Sequence, residues 1–231
     1  MRRVLAISFF VLVCYFNLEG QTFTVTTTSN PAEAGILTGA GNYESGASVT
    51  VTASANPGYS FVEWTDGITQ VSTNPSYTFS IAGNTSLIAN FSQINYSVTT
   101  SSNPSGGGTT SGGGTTFTYN QSVTVTASPS AGYSFVSWTE GGSVVSSEAG
   151  YTFNVTGNRT LVANFNQINY SVTTSSNPSG GGTTSGGGTT FTYNQSVTVT
   201  ASPSAGYSFV SWTEGGSVVS SEAGYTFNVT G

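Results

Sequence analysis

The sequence contains no histidine and no lysine, and its one cysteine, Cys14, lies in an apolar leader. Beyond residue 20 the only basic side chain is Arg159 and the only aspartate is Asp66. These gaps exclude most protein chemistry by residue type alone. Cys–His nucleophiles, Ser–His–Asp triads, lysine Schiff bases, and thiolate or imidazole metal sites all lack a required group. Disulfide staples are excluded beyond the leader for the same reason. One arginine against eight acidic residues beyond residue 20 cannot neutralise a phosphate backbone, so nucleic acid is not an expected partner. No catalytic residue, cofactor site or metal site is expected, and the chain is not expected to be an enzyme.

What is present begins with a three-part leader. Arg2 and Arg3 form a charged start, and Val4 to Phe16 an apolar stretch. That stretch is shorter than the ~20 residues a membrane-spanning helix needs. A cut before Gln21 would place Leu18 and Gly20 at the −3 and −1 positions. Residues 1–20 therefore read as a signal peptide, with a lipid-modified Cys14 as the alternative, and the chain as secreted or displayed at the cell surface. No later stretch is apolar and long enough to anchor it as a transmembrane helix.

The remainder is repetitive. Residues 94–157 recur letter for letter as residues 168–231, an offset of 74, and Thr22 to Gln93 is a diverged copy. Trp64, Trp138 and Trp212 keep that offset, as do Tyr59, Tyr133 and Tyr207. The expected organisation is a leader (1–20) and three repeats (21–93, 94–167 and 168–231). Repeat 2 runs on from Gly157 through Asn158 to Gln167, and repeat 3 has no counterpart of those ten residues. The expectation is a fragment whose third repeat lacks its last strand.

Within a repeat there is no helical apolar spacing, and Thr, Val, Tyr, Phe, Ser and Gly dominate, which favours strands and turns. In repeat 2 the spacing predicts strands over Tyr96–Thr100, Thr116–Tyr119, Ser122–Ser128, Tyr133–Thr139, Tyr151–Val155 and Thr160–Phe165. Val123, Val125 and Ala127 alternate with Thr124 and Thr126, so one face is apolar and the other polar. Pro129 to Gly132 is a turn signal, and the strands on either side read as a hairpin. The expected fold is all-β: tandem small modules of five to six short strands, β-grasp-like or a small sandwich, with no substantial helix beyond the leader. The predicted inward set is Val98, Phe117, Val123, Val125, Tyr133, Phe135, Trp138, Tyr151, Phe153, Val155, Leu161, Ala163 and Phe165.

Three features invite a functional reading. The glycine-rich Gly106–Gly114 lacks the lysine and helix of a phosphate loop, and reads as a mobile surface loop. Glu140 and Glu148, with their equivalents Glu214 and Glu222, are paired carboxylates in polar turn sequence, and read as solvated acids. Trp64, Trp138 and Trp212 are candidate ligand contacts, able to stack on sugar rings if exposed. Each also sits in an alternating strand, where core packing is the ordinary role. Thr124 with Thr126, and Thr198 with Thr200, read as the solvent face of a strand.

Tyr119, Val123–Ala127, Pro129, Gly132–Trp138, Tyr151–Val155 and Asn158–Phe165 follow one order, ending in Ala-Asn-Phe. Repeat 1 has Gly58–Trp64 and Ala89-Asn90-Phe91 at the same places. This order resembles the bacterial repeat domain known as the divergent internalin-B-type B-repeat, in three tandem copies. The resemblance implies β-rich modules related to a β-grasp arrangement in surface and secreted bacterial proteins, with no catalytic residue to carry over. The leading expectation is a non-catalytic adhesin stalk or spacer. The alternatives are a carbohydrate- or matrix-binding module whose partner is a surface glycan or matrix protein, and accessory repeats of a larger exported enzyme.

Overall fold

The computed structural model describes residues 20–230, so the expected signal peptide, apart from Gly20, lies outside the described residues. All regular structure within them is β-strand. The chain divides after Ile94 into two compact units, the first holding repeat 1 and the second repeats 2 and 3.

Repeat 1 contributes β1 (Thr22–Asn30), β2 (Gly35–Thr38), β3 (Gly41–Glu44), β4 (Ser48–Ala55), β5 (Tyr59–Asp66), β6 (Thr69–Ser72), β7 (Ser76–Ser80) and β8 (Thr85–Gln93). They form a five-stranded sheet, β3-β1-β8-β5-β6, and a three-stranded sheet, β2-β4-β7. Strand β8 is central to the larger sheet, parallel to β1 and antiparallel to β5. The core draws on both sheets: Val25, Leu87, Ala89, Phe91 and Trp64 from one, and Val49, Val51 and Ala53 from the other. The unit is thus a small sandwich, with alternating positions of both sheets turned inward.

Repeat 2 follows the same plan. Its strands are β9 (Tyr96–Asn103), β10 (Gly108–Ser111), β11 (Gly114–Phe117), β12 (Ser122–Pro129), β13 (Tyr133–Glu140), β14 (Ser143–Ser146), β15 (Gly150–Asn154) and β16 (Arg159–Gln167). The sheets are β11-β9-β16-β13-β14 and β10-β12-β15. All thirteen residues of the predicted inward set belong to this core or pack against it, joined by Ala127, Tyr96 and Val145.

Three expectations are corrected here. Each complete repeat has eight strands rather than five or six, because the glycine-rich segment and the Ser143–Ser146 stretch also pair. Gly106–Gly114 is not a free loop: it carries β10, the turn after it and the start of β11. Strands β12 and β13 do not form a hairpin; they lie in different sheets, and the Pro129–Gly132 turn carries the chain across the sandwich.

Repeat 3 contributes β17 (Tyr170–Val172), β18 (Gly182–Ser185), β19 (Gly188–Phe191), β20 (Ser196–Pro203), β21 (Trp212–Glu214), β22 (Ser217–Ser220) and β23 (Gly224–Asn228). Its three-stranded sheet, β18-β20-β23, matches that of repeat 2. The larger sheet is represented by two separate pairs, β17-β19 and β21-β22. No described residue supplies the strand that joins them in the other repeats.

Candidate functional site

The three tryptophans occupy equivalent backbone positions and make the same polar contact. Each indole N–H donates to a backbone carbonyl eleven residues on: Trp64 to Pro75 at 3.1 Å, Trp138 to Ala149 at 3.1 Å, and Trp212 to Ala223 at 3.2 Å. The bond satisfies the one polar atom of the side chain and leaves the ring free to pack. Trp64 and Trp138 have 0% exposure, with Phe61 and Phe135 tilted against them at 6.1 Å between centroids. Neither offers a ring face to a ligand in this conformation. Trp212 is only half-buried.

The difference coincides with the strand that joins β9 to β13 in repeat 2, which no described residue of repeat 3 supplies. In repeat 2, β16 places Ala163 opposite Trp138 and Phe165 opposite Phe135. The rings of Phe135 and Phe165 meet edge-on at 5.8 Å. In repeat 3, Trp212 borders two cavities, of roughly 230 Å³ and 110 Å³. Both are lined by polar and apolar groups without a cluster of titratable side chains.

The carboxylates do not pair with one another. Glu140 faces Arg159: the guanidinium Nη2 and Nε donate to Glu140 Oε2 at 2.7 Å and 3.0 Å, and the Thr160 N–H donates to Oε1 at 3.2 Å. These donors hold the Glu140 carboxyl below its usual range, chiefly through the hydrogen bond from Arg159. The same bond raises Arg159. Arg159 also donates to the Tyr151 hydroxyl at 3.2 Å and lies 4.1 Å from the Phe153 ring centroid. The cation is thereby used up in bridging β13, β15 and β16. Glu148 lies outside this group, its N–H accepted by the Ser146 hydroxyl in the β14–β15 turn. Among the described residues no group of three or more His, Cys, Asp or Glu side chains converges as metal ligands would. Among them, too, no helix is long and apolar enough to cross a membrane.

The glycine-rich segment gains its form from close approaches. A Cβ on Gly112, whose φ is +87°, would overlap the Thr124 carbonyl, and one on Gly113 would stand 2.7 Å from the Val98 carbonyl. A side chain at either position would collide with backbone of the neighbouring strand, β12 at Gly112 and β9 at Gly113. The threonine face is also internally occupied. The Thr124 and Thr152 hydroxyls lie 2.7 Å apart, as do those of Thr198 and Thr226, and those of Thr50 and Thr78 are 2.8 Å apart. These hydroxyls bond each other across neighbouring strands, the usual arrangement of a solvated sheet face.

Sequence reasoning did not find the asparagine pair that ties the first and last strands of a complete repeat. Asn103 Nδ2 donates to Asn164 Oδ1 at 3.1 Å, and Asn30 to Asn90 at 3.0 Å. Asn164 in turn donates to Thr139 Oγ1 at 3.0 Å, linking β9, β16 and β13. The shared signal is the Asn of Asn-Pro and the Asn of Ala-Asn-Phe in both repeats.

Comparison with known proteins gives a family match and a distant structural likeness. The family profile described as the divergent InlB B-repeat domain matches residues 25–95, 98–169 and 172–231. No curated protein matches. Among solved structures, the TIE protein of Bacillus anthracis aligns with 10% identity and a TM-score of 0.41, over 90% of this chain and 48% of that one. The chain thus spans about half the length of that protein. InlB-type repeats are typical of surface or exported bacterial proteins and are typically non-catalytic. With three tandem matches covering most of its length, the chain belongs to the divergent InlB B-repeat family.

Proposed function

We propose that the chain is a non-catalytic, exported repeat protein that serves as an adhesin stalk or spacer at the bacterial surface. The observation that carries this reading is the way successive repeats are joined. Only Ile94–Asn95 separate β8 from β9, and only Ile168–Asn169 separate β16 from β17. Connections this short contain no flexible linker sequence, which suits a spacer better than a set of tethered binding heads. Apart from the exposed Tyr119, the two complete repeats also commit their aromatic side chains to their cores, and their one arginine to an internal ion pair. The leader of residues 1–20 supports export.

A second reading is favoured by one residue. Trp212 keeps aromatic surface beside a cavity, which supports a carbohydrate- or matrix-binding role for repeat 3.

The test displays one, two or three repeats between a surface anchor and an epitope tag, and screens the full chain against glycans and matrix proteins. A stalk gives tag accessibility that rises with repeat number and no saturable binding. Saturable glycan binding abolished by Trp212→Ala would replace the stalk reading with the ligand reading. Retention of the chain inside the cell, with residues 1–20 uncleaved, would remove both.

A further inference from the structure

The two complete repeats share a cradle of two rings and a carboxylate, and only one of them fills it. In repeat 2 the Arg159 guanidinium lies 4.1 Å from the Phe153 ring centroid and 5.4 Å from that of Tyr151. It donates to the Tyr151 hydroxyl through Nη1 at 3.2 Å, and to Glu140 Oε2 through Nε and Nη2 at 3.0 Å and 2.7 Å. An aromatic pair on β15 and a carboxylate on β13 thus hold a cation that β16 supplies.

Repeat 1 keeps the cradle and lacks the cation. Tyr77 and Phe79 of β7 are the counterparts of Tyr151 and Phe153, and their rings stack at 5.2 Å with 19° between planes. The register is also the same: Tyr77 and Phe79 lie opposite Val51 and Val49, as Tyr151 and Phe153 lie opposite Val125 and Val123. Asp66 ends β5 where Glu140 ends β13, a carboxylate one methylene shorter. Thr85 opens β8 where Arg159 opens β16, and its hydroxyl donates to the Gly83 carbonyl at 3.0 Å. Its short side chain does not reach the place of the guanidinium. Tyr77 and Phe79 pack on the core yet stay partly exposed, and Asp66 is exposed. Repeat 1 has four carboxylates and no basic residue, so it cannot neutralise the cradle itself.

We propose that repeat 1 binds an arginine side chain of a partner polypeptide, its guanidinium seated on the Tyr77 and Phe79 rings and paired with the Asp66 carboxylate. Repeat 2 identifies the chemistry of the occupant, because the equivalent three groups there hold a guanidinium of the chain itself. A planar guanidinium meets both demands at once: its face stacks on the rings and its edge donates to the carboxylate. An ammonium, a strongly hydrated point charge, meets them less well. The acidic balance of the repeat favours a cationic partner in the same direction. A second copy of this chain is a poor donor, since its Arg159 is already held by Glu140. This inference goes beyond the stalk reading and does not depend on it.

The probe is acetyl-arginine-amide, titrated into the full chain and followed by NMR of the backbone amides, with acetyl-lysine-amide as the control. The expected result is saturable shifts at Asp66, Tyr77 to Phe79 and Thr85, none at Glu140 or Tyr151 to Phe153, and about five-fold weaker binding of the lysine probe. Thr85→Arg combined with Asp66→Glu supplies the guanidinium from the chain itself and should abolish binding at repeat 1. Arg159→Ala uncovers the cradle of repeat 2 and should create a second site there. Tyr77→Phe, which keeps the ring and removes the hydroxyl, should bind about three-fold more weakly. Absence of saturable shifts at tens of millimolar probe overturns the proposal. So does an equal response to the lysine probe, or binding that survives Thr85→Arg with Asp66→Glu. Tighter binding of free arginine than of the blocked form would assign the site to the amino acid rather than to a polypeptide. Binding that appears only when Arg2 and Arg3 are replaced by Ser would assign it to the chain's own leader, and either result overturns the partner.

Discussion

Gly108 lies beneath the ring of Phe165, so close that a Cβ on the glycine would overlap the ring edge; Gly35 and Phe91 repeat the relationship in the first module. The ring closes the sandwich where β10 approaches β16, and the glycine supplies the space. Gly108→Ala should therefore overpack repeat 2, at about 1–3 kcal/mol. The equivalent Gly182→Ala meets the Ser202 carbonyl, as Gly108→Ala meets that of Ser128, but no phenylalanine ring. Denaturant melts of the two variants should show the larger loss for Gly108→Ala. Equal losses would mean that the backbone contact alone sets the cost.

The enclosure of Trp138 and the partial exposure of Trp212 predict unequal roles for two residues in identical local sequence. Trp138→Ala should cost about 3–5 kcal/mol, the range for large aromatic truncations in a core. Trp212→Ala should cost clearly less, because part of its surface already contacts water. Acrylamide should quench the Trp212 component of the emission and leave those of Trp64 and Trp138 largely unaffected. A chain with three equally shielded tryptophans would contradict the difference in burial.

Alternation carried the sequence reading a long way. Val123, Val125 and Ala127 do face one core, and the aromatic pairs at Tyr133–Trp138 and Tyr151–Phe153 do join it. The period of two is a local property, so it survives without any knowledge of partners. Pairing is not local. Strand β9 runs parallel to β16, yet Val98 and Arg159 are 61 residues apart, and no turn signal links them. The Pro129–Gly132 turn suits a hairpin and a crossing between sheets equally well, and the partners of β12 and β13 decide which it is. Glycine composition misled for the same reason. Gly108 and Gly112 look like freedom in the sequence, but Phe165 and Thr124 make them sites of close packing. The carboxylate of Glu140 read as solvated because its partner lies 19 residues further on.

The pairing of Glu140 with Arg159 predicts an acid-side loss of stability specific to repeat 2. The folded state holds the Glu140 carboxyl below its ordinary value of 4.5. Its contribution is thus complete above that value, and it fades as pH falls below it toward the lowered folded value. The pair is partly exposed, so about 0.5–1 kcal/mol is expected from a double-mutant cycle of Glu140→Gln and Arg159→Gln. Melting at pH 7 and pH 3 should show a smaller coupling at pH 3 than at pH 7. Repeat 1 has Asp66 and Thr85 at these positions and should lack the effect. An undiminished coupling at pH 3 would mean that the contact with the Phe153 ring, not the carboxylate, holds Arg159.

Gly132 and Tyr193 predict a coupling between repeats 2 and 3. Gly132 has a φ of +81°, and its carbonyl accepts the Ile168 N–H at 2.8 Å where repeat 2 hands over to repeat 3. A Cβ on Gly132 would overlap the Cβ of Tyr193. Gly206 has nearly the same backbone, with a φ of +86°, and open space around it. Gly206→Ala should therefore cost only the conformational strain of a left-handed alanine, about 1–2 kcal/mol. Gly132→Ala should cost that and also disturb the junction, seen as faster hydrogen exchange at Ile168. Tyr193→Gly, which removes the opposing Cβ, should restore slow exchange in the Gly132→Ala background; Tyr193→Ala, which keeps it, should not. If the two Tyr193 variants behave alike, the junction is held by the tyrosine ring rather than by close approach of the two backbones.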